Sequence, residues 1–195
     1  MKTRDIDIRS ELHAALSSRY LNDDDAVIID ELGLCQGEAR VDVALVNGVI
    51  HGYEIKSDSD SLERLPHQIY VYNRVLDIIT IVTGKSHMER IKNLVPEWWG
   101  IIQVEKIKKN KVRLVNIREP KENSQIDPYS LVQLLWREEA LEILITLGLE
   151  KGYLSKSRKE IWKRLASSVN IHDLQFYVRQ QLKTRTNWRV VRQRK

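Results

Sequence analysis

RVDVALVNGVIHGYEIK, residues 40–56, alternates apolar and polar side chains on both sides of Asn47-Gly48. A period of two marks half-buried strands, and Asn-Gly between two such runs is a strong hairpin signal. Two registers compete. A two-residue turn pairs 46 with 49, sets Asp42 opposite Tyr53 and Val41 opposite Glu54, and mixes apolar and charged groups on both faces. Pairing 46 with 50 instead sets Asp42 opposite Glu54, Val41 opposite Ile55, Val43 opposite Tyr53 and Ala44 opposite Gly52. One face is then apolar, and the other gathers Arg40, Asp42, Glu54 and Lys56. Burial of one face fixes register more firmly than turn preference does, so a three-residue loop or a bulge is expected, with Gly48 and Gly52 as suitable sites.

Outward from the hairpin, residues 5–21 carry Ile8, Leu12, Ala15 and Leu16 at helical spacing, with Asp5 or Asp7 able to cap. AVIIDE (26–31) suits a buried strand. A helix is expected from about Asp60 to Arg74, with Leu62, Leu65, Ile69, Tyr72 and Leu76 as its apolar stripe and Pro66 in its first turn. DIITIVT (77–83) reads as a strand, 86–94 as a short helix, GIIQV (100–104) as a strand and KVRLVNI (111–117) as an edge strand. The order α-β-β-β-α-β-α-β predicts an α/β fold, a mixed central sheet flanked by helices. REPKENSQIDP (118–128) is polar and irregular and predicts a linker. Residues 129–195 then read as all-helical: one helix from Asp127-Pro128 to Gly148, one opened by the capping box Ser157-x-x-Glu160, and one opened by Asn170-x-x-Asp173. The expected division is a core at 1–117, a linker at 118–128 and a basic helical extension at 129–195.

The net charge of +5 conceals a split. Residues 1–105 hold 11 Lys/Arg and 18 Asp/Glu, whereas residues 106–195 hold 21 and 9. This admits carboxylate chemistry beside polyanion binding, or merely solvated faces that segregate. No apolar run approaches the ~18 residues needed to cross a bilayer, so no membrane partner is expected. Residues 1–11 are charged and unlike a secretory signal, and the single Cys35 excludes an internal disulfide or a Cys-based zinc cluster; a cytoplasmic location is expected.

Carboxylates opposed across a hairpin have Cβ atoms about 4.5–5.5 Å apart and repel unless one takes up a proton or both share a cation. Oxygen ligands without His or Cys suit Mg²⁺ or Mn²⁺. Lys56 on the same face would then orient or deprotonate water, or stabilise a phosphoryl transition state. The competing reading is a solvated polar face with Arg40 and Glu54 as a cross-strand ion pair.

Val41-Asp42, eleven residues, then Glu54-Ile55-Lys56, in the order α-β-β-β-α-β, resembles the signature of the PD-(D/E)XK nuclease superfamily, with Val41 where the name-giving Pro would stand. RVDVALV, GYEIKSDSDSLERLPHQIYVY and PEWWGII together are similar to a bacterial family of small stand-alone nuclease-like proteins. The resemblance implies a restriction-endonuclease-like core over residues 1–117. It further implies an Mg²⁺- or Mn²⁺-dependent deoxyribonuclease with Asp42, Glu54, Glu11 and the Ile55 carbonyl as metal ligands, Lys56 as the catalytic lysine and Gln68 as an orienting residue. The alternative is an inactive nucleic-acid-binding or adaptor protein that retains the fold.

Arg64, Gln68 and Tyr72 form an i, i+4, i+8 stripe able to line that cleft or to be solvated. Thr83-Gly84-Lys85-Ser86 lacks the earlier Gly of a phosphate-binding loop and reads as a helix start. Ser157–Thr184 resembles a helix-turn-helix pair. Its last helix and the tail supply Arg179, Lys183, Arg185 and Arg189, which with Arg64 are the expected nucleic-acid contacts, DNA favoured over RNA; a basic helical cap is the alternative. The Leu131–Leu147 stripe is expected as core, and it also admits a homodimer seam.

Overall fold

The computed structural model describes residues 4–108 and 111–185. Six strands form one mixed sheet in the order β1 (Val27–Leu34), β2 (Ala39–Val46), β3 (Ile50–Lys56), β4 (Ile78–Gly84), β5 (Gly100–Lys108), β6 (Lys111–Arg118). Pairings β1–β2, β2–β3 and β5–β6 are antiparallel, and β3–β4 and β4–β5 are parallel. The helices are α1 (Asp5–Arg19), α2 (Leu65–Tyr72), α3 (Met88–Leu94), α4 (Pro128–Val132), α5 (Arg137–Thr146), α6 (Arg158–Ser168) and α7 (Ile171–Thr184). The expected α/β class and element order are therefore observed.

The hairpin register is the one that burial selects: Val43 pairs with Tyr53, Ala44 with Gly52, Leu45 with His51 and Val46 with Ile50. The connection is a three-residue loop closed by the Asn47 amide donating to the Val49 carbonyl. Gly52 forms no bulge. Its role is close approach, because a Cβ there would lie 2.5 Å from Leu76 Cδ1.

The β2–β3 ladder ends at Val43–Tyr53, so the expected backbone pairing of Asp42 with Glu54 is corrected. The cause lies in the neighbouring pair. Asp30 faces Val43 and Leu32 faces Val41, but Glu31 and Asp42 between them are not paired, and Glu31 takes a left-handed backbone (φ 55°). Both strands change phase there. Ile29, Ala44 and Val46 pack into the same cluster as Leu32, Leu34, Ala39 and Val41, although their parity differs.

The sheet separates two apolar clusters. On one side Ile8, Leu12 and Leu16 of α1 cover Val43, Leu45, Tyr53, Ile55, Val82 and Val104. On the other, α2 to α7 converge on Ile29, Val41, Ile79, Ile81 and Ile101 through Leu65, Tyr72, Ile91, Leu131, Ile143, Trp162, Leu174 and Val178. Strand β4, covered on both faces, is a near-continuous apolar run, as parallel strands require. The C-terminal helices share this second core with the sheet. The intervening segment is tied down as well: Lys121 donates to the Trp98 carbonyl, Asn123 to the Asp77, Asn73 and Leu76 carbonyls, and Asp127 to the Arg74 carbonyl.

Local signals explain the starts of the C-terminal helices. Ser157 and Glu160 form the expected reciprocal capping box, Asn170 accepts from the Asp173 amide, and Asp127 accepts from the Ser130 amide ahead of Pro128. The single helix expected over 127–148 is two helices, α4 and α5. Glu139 accepts the Trp136 amide and so starts a new helix there.

Candidate functional site

Six expected site residues lie at one cavity of about 400 Å³ between the ends of β2 and β3 and the start of α2: Asp42, Glu54, Ile55, Lys56, Arg64 and Gln68. The side chains of Glu54, Lys56 and Gln68, with that of Tyr72, are joined in a closed network. Lys56 Nζ donates to Glu54 Oε1 at 2.6 Å and to Gln68 Oε1 at 3.0 Å; Gln68 Nε2 donates to Glu54 Oε1 at 2.7 Å; the Tyr72 hydroxyl donates to Glu54 Oε2 at 2.6 Å. Of the stripe Arg64, Gln68, Tyr72, the first two line the cleft and Tyr72 is buried behind Glu54, a helical spacing of four keeping all three on one side. Burial, and then the nearby Asp42 charge, push the Glu54 carboxyl above its ordinary range, and burial followed by Glu54 raises the Tyr72 phenol.

Asp42 closes the gap left by the phase change. Its Oδ2 accepts the Ile55 amide at 2.8 Å, in place of a backbone ladder bond, and its Oδ1 accepts Arg9 Nη2 at 2.8 Å, while Arg9 Nη1 donates to the Asp42 carbonyl. Burial pushes this carboxyl upward, against the lowering effects of the Ile55 amide and Arg9. Two α1 residues that sequence reading did not assign to the site are found there: Arg9, which holds Asp42, and Asp5, which lines the cavity and lies 3.4 Å from Arg9 Nε. Glu11 lies on the same helix but does not line the cavity. The available signal was that Arg9 and His13 sit one turn apart: His13 Nε2 lies 2.7 Å and Arg9 Nη1 3.7 Å from Asp30 Oδ1.

This arrangement does not fit a resident divalent ion. The expected carboxylates are neutralised from within the protein, Asp42 by Arg9 and Glu54 by Lys56; Glu11 does not line the cavity, and Asp5, which does, is paired with Arg9. Among the described residues no group of three or more His, Cys, Asp or Glu could hold a metal. The metal-binding expectation is corrected on that ground.

The expected DNA contacts on α7 are also committed elsewhere. Arg179 Nη1 lies 3.6 Å from Asp77 Oδ2, and Lys183 Nζ lies 2.6 Å from Asp25 Oδ2. Arg185 grips Glu139 at 2.7 and 2.5 Å, donates to the Leu134 carbonyl and stacks 4.3 Å over the Trp136 ring. Arg189 lies outside the described residues. The exposed basic face belongs to α6 and the turn before it. Residues 151–168 hold six Lys/Arg, namely Lys151, Lys156, Arg158, Lys159, Lys163 and Arg164, against the single Glu160. All but Arg164 are exposed. Lys156 pairs with Glu160, Arg158 lies 4.6 Å over Trp162 and Arg164 lies 5.6 Å over Tyr153. The ion pairs of the described residues include neither Lys159 nor Lys163.

A family model described as Bacteriophage P4 protein cII matches residues 2–194. Protein cII of Enterobacteria phage P4 is 25% identical over 161 residues, which is 83% of this chain and 60% of that protein, so the chain spans less than two thirds of its relative. No solved structure matches. These matches overturn the expected membership of the PD-(D/E)XK superfamily. With it go the deoxyribonuclease activity and the hydrolase role, which rested on the D…ExK spacing. The spacing is real, but here it builds an internally neutralised buried network.

No described helix is long and apolar enough to cross a membrane.

Proposed function

Because the chain belongs to the bacteriophage P4 protein cII family, we propose a non-enzymatic role for it: binding nucleic acid, DNA in the first instance, through the exposed face of α6. The observation that carries this reading is the six-to-one excess of Lys/Arg over acid in residues 151–168, four of the six on α6, whose apolar face, Ile161, Trp162 and Leu165, is fully buried. Lys159 and Lys163 stand one turn apart on the outer side, a spacing that suits successive phosphates. The tail from 186 to 195 adds four Lys/Arg and no acid. Rows of Lys and Arg bind phosphate backbones by releasing condensed counterions, which makes the affinity steeply salt-dependent.

The test is fluorescence anisotropy of labelled DNA with the full chain, comparing wild type with Lys159→Glu/Lys163→Glu. Binding that weakens with added salt is expected. The double variant should bind at least about tenfold more weakly, and each lost phosphate contact should lower the salt slope by about one. Equal binding by both proteins would overturn the reading.

A further inference from the structure

A second cavity, of about 350 Å³, opens between the outer edge of β1 and the helices α4 to α6. That is at the small end of the ~300–1,000 Å³ usual for ligand pockets. Its wall includes Gly33, Gln36, Gln133, Trp136 and Arg158. Trp136 is 51% exposed although it occupies the helix N-cap position, where a small polar residue is the rule. The Arg185 guanidinium, fixed by Glu139, steadies one face of the ring. Gln36 Nε2 donates to Gln133 Oε1 at 3.2 Å, which brings two side-chain amides to the cavity.

The backbone that presents Gln36 is strained. Cys35, Gln36 and Gly37 have φ of 48°, 59° and 92°, three consecutive left-handed residues of which only one is glycine. Non-glycine residues so held are strained and collect where a side chain must be aimed. Arg158 joins this cavity to the basic face, since it is the first residue of α6 and also part of the wall.

We propose that the cavity receives one unstacked nucleobase, with Trp136 as the stacking surface, Gln36 and Gln133 as partners for the base edge and Arg158 beside the adjoining phosphate. The molecule held along α6 is then single-stranded DNA. This rests on the nucleic-acid reading above. Base stacking on an aromatic ring is tolerant of sequence and is unavailable to bases inside a duplex.

The experiment measures anisotropy of a labelled oligonucleotide, single-stranded and as its duplex, with the full chain. Four proteins are compared: wild type, Trp136→Ala, Trp136→Phe and the Lys159→Glu/Lys163→Glu variant, each checked for folding by circular dichroism. Trp136→Ala should weaken single-strand binding about 5- to 140-fold, the range for losing one stacked base. Duplex binding should change less than about twofold, because no stack is lost. Trp136→Phe, which keeps a stacking ring and the N-cap backbone, should retain most single-strand affinity and so distinguishes stacking from misfolding. The slot is overturned, with backbone binding left standing, if both Trp136 variants bind single strands like wild type or weaken both forms equally. If the lysine variant also binds both forms unchanged, the nucleic-acid reading itself falls.

Discussion

Lys56 Nζ lies 2.6 Å from Glu54 Oε1, with the two side chains 6% and 2% exposed. Two residues apart on β3, they share one side of the strand, and α2 lays Gln68 and Tyr72 over them to complete the bonding of the Glu54 carboxylate. A buried ion pair contributes little net stability when intact, but removing one partner leaves an uncompensated charge and costs about 3–5 kcal/mol. Lys56→Met should lose that amount in urea unfolding at neutral pH, and Glu54→Gln/Lys56→Met should regain most of it. The loss should also depend on pH. A carboxyl whose folded value is raised, as that of Glu54 is, stabilises the fold below its ordinary value and loses that contribution as pH rises through the folded value. Without Lys56 that folded value rises further, so the Lys56→Met deficit should grow as pH rises through the raised value that Glu54 has in the wild type. A deficit that is flat with pH would show that Lys56 does not hold the Glu54 charge, the carboxyl titrating alike in both proteins.

His51 gives the opposite sign. Its ring stacks on Tyr53 at 4.1 Å, with Nδ1 3.1 Å from the Tyr53 hydroxyl and Nε2 2.8 Å from Thr80 Oγ1. Burial, and then Arg19, lower its pKa to about 3. The neutral ring contributes stability that is present above its ordinary value and is lost as pH falls through the folded value. Between about pH 6.5 and 3 the wild type should lose up to ~1.4 kcal/mol per pH unit through this residue. His51→Gln should flatten the stability profile in that window, as followed by chemical denaturation at successive pH values. An unchanged slope would show that the ring titrates freely.

Asp77 ties three segments together. Its Oδ2 accepts the Ile50 amide at 2.6 Å, its Oδ1 accepts Gln175 Nε2 at 2.6 Å, and Arg179 is 3.6 Å away. Asp77→Ala strands the Ile50 amide and the guanidinium, and should cost about 1–3 kcal/mol for the unsatisfied donors. Asp77→Asn keeps one acceptor and should cost clearly less. Amide exchange at Ile50 reports the difference directly: rapid in the Ala variant, slow in wild type.

The same residues explain what the sequence made legible. Register could be read because a one-residue slip would have taken Val43 and Leu45 off the face that they share with Tyr53 and Ile55 under α1. The caps at Ser157, Asn170 and Asp127 could be read because each is a local side-chain-to-amide bond. Gln68 and Tyr72 could be placed over Glu54 because helical spacing is local too. What decides the function was not local. Arg9 reaches Asp42 across 33 residues, Lys183 meets Asp25 across 158, and Arg185 meets Glu139 across 46, so a spacing typical of a metal site encloses cations of the chain itself. The break between α4 and α5 was equally hidden, because Glu139 has to turn back on Trp136 in a run with unbroken helical periodicity.

Gln36 separates aim from stability. A left-handed backbone costs a non-glycine residue about 1–2 kcal/mol relative to glycine. Glycine in turn adds unfolded-chain freedom worth roughly 0.5–1 kcal/mol. Gln36→Gly should therefore be neutral or stabilise the protein by up to about 1.5 kcal/mol, the difference between those two figures. Gln36→Val, stiff at its β-carbon and disfavoured at positive φ, should be destabilising. Thermal unfolding of the three proteins measures both. A less stable Gly variant would mean that the 3.2 Å amide bond to Gln133 outweighs the backbone strain. The turn would then be held for its own sake rather than for what it presents.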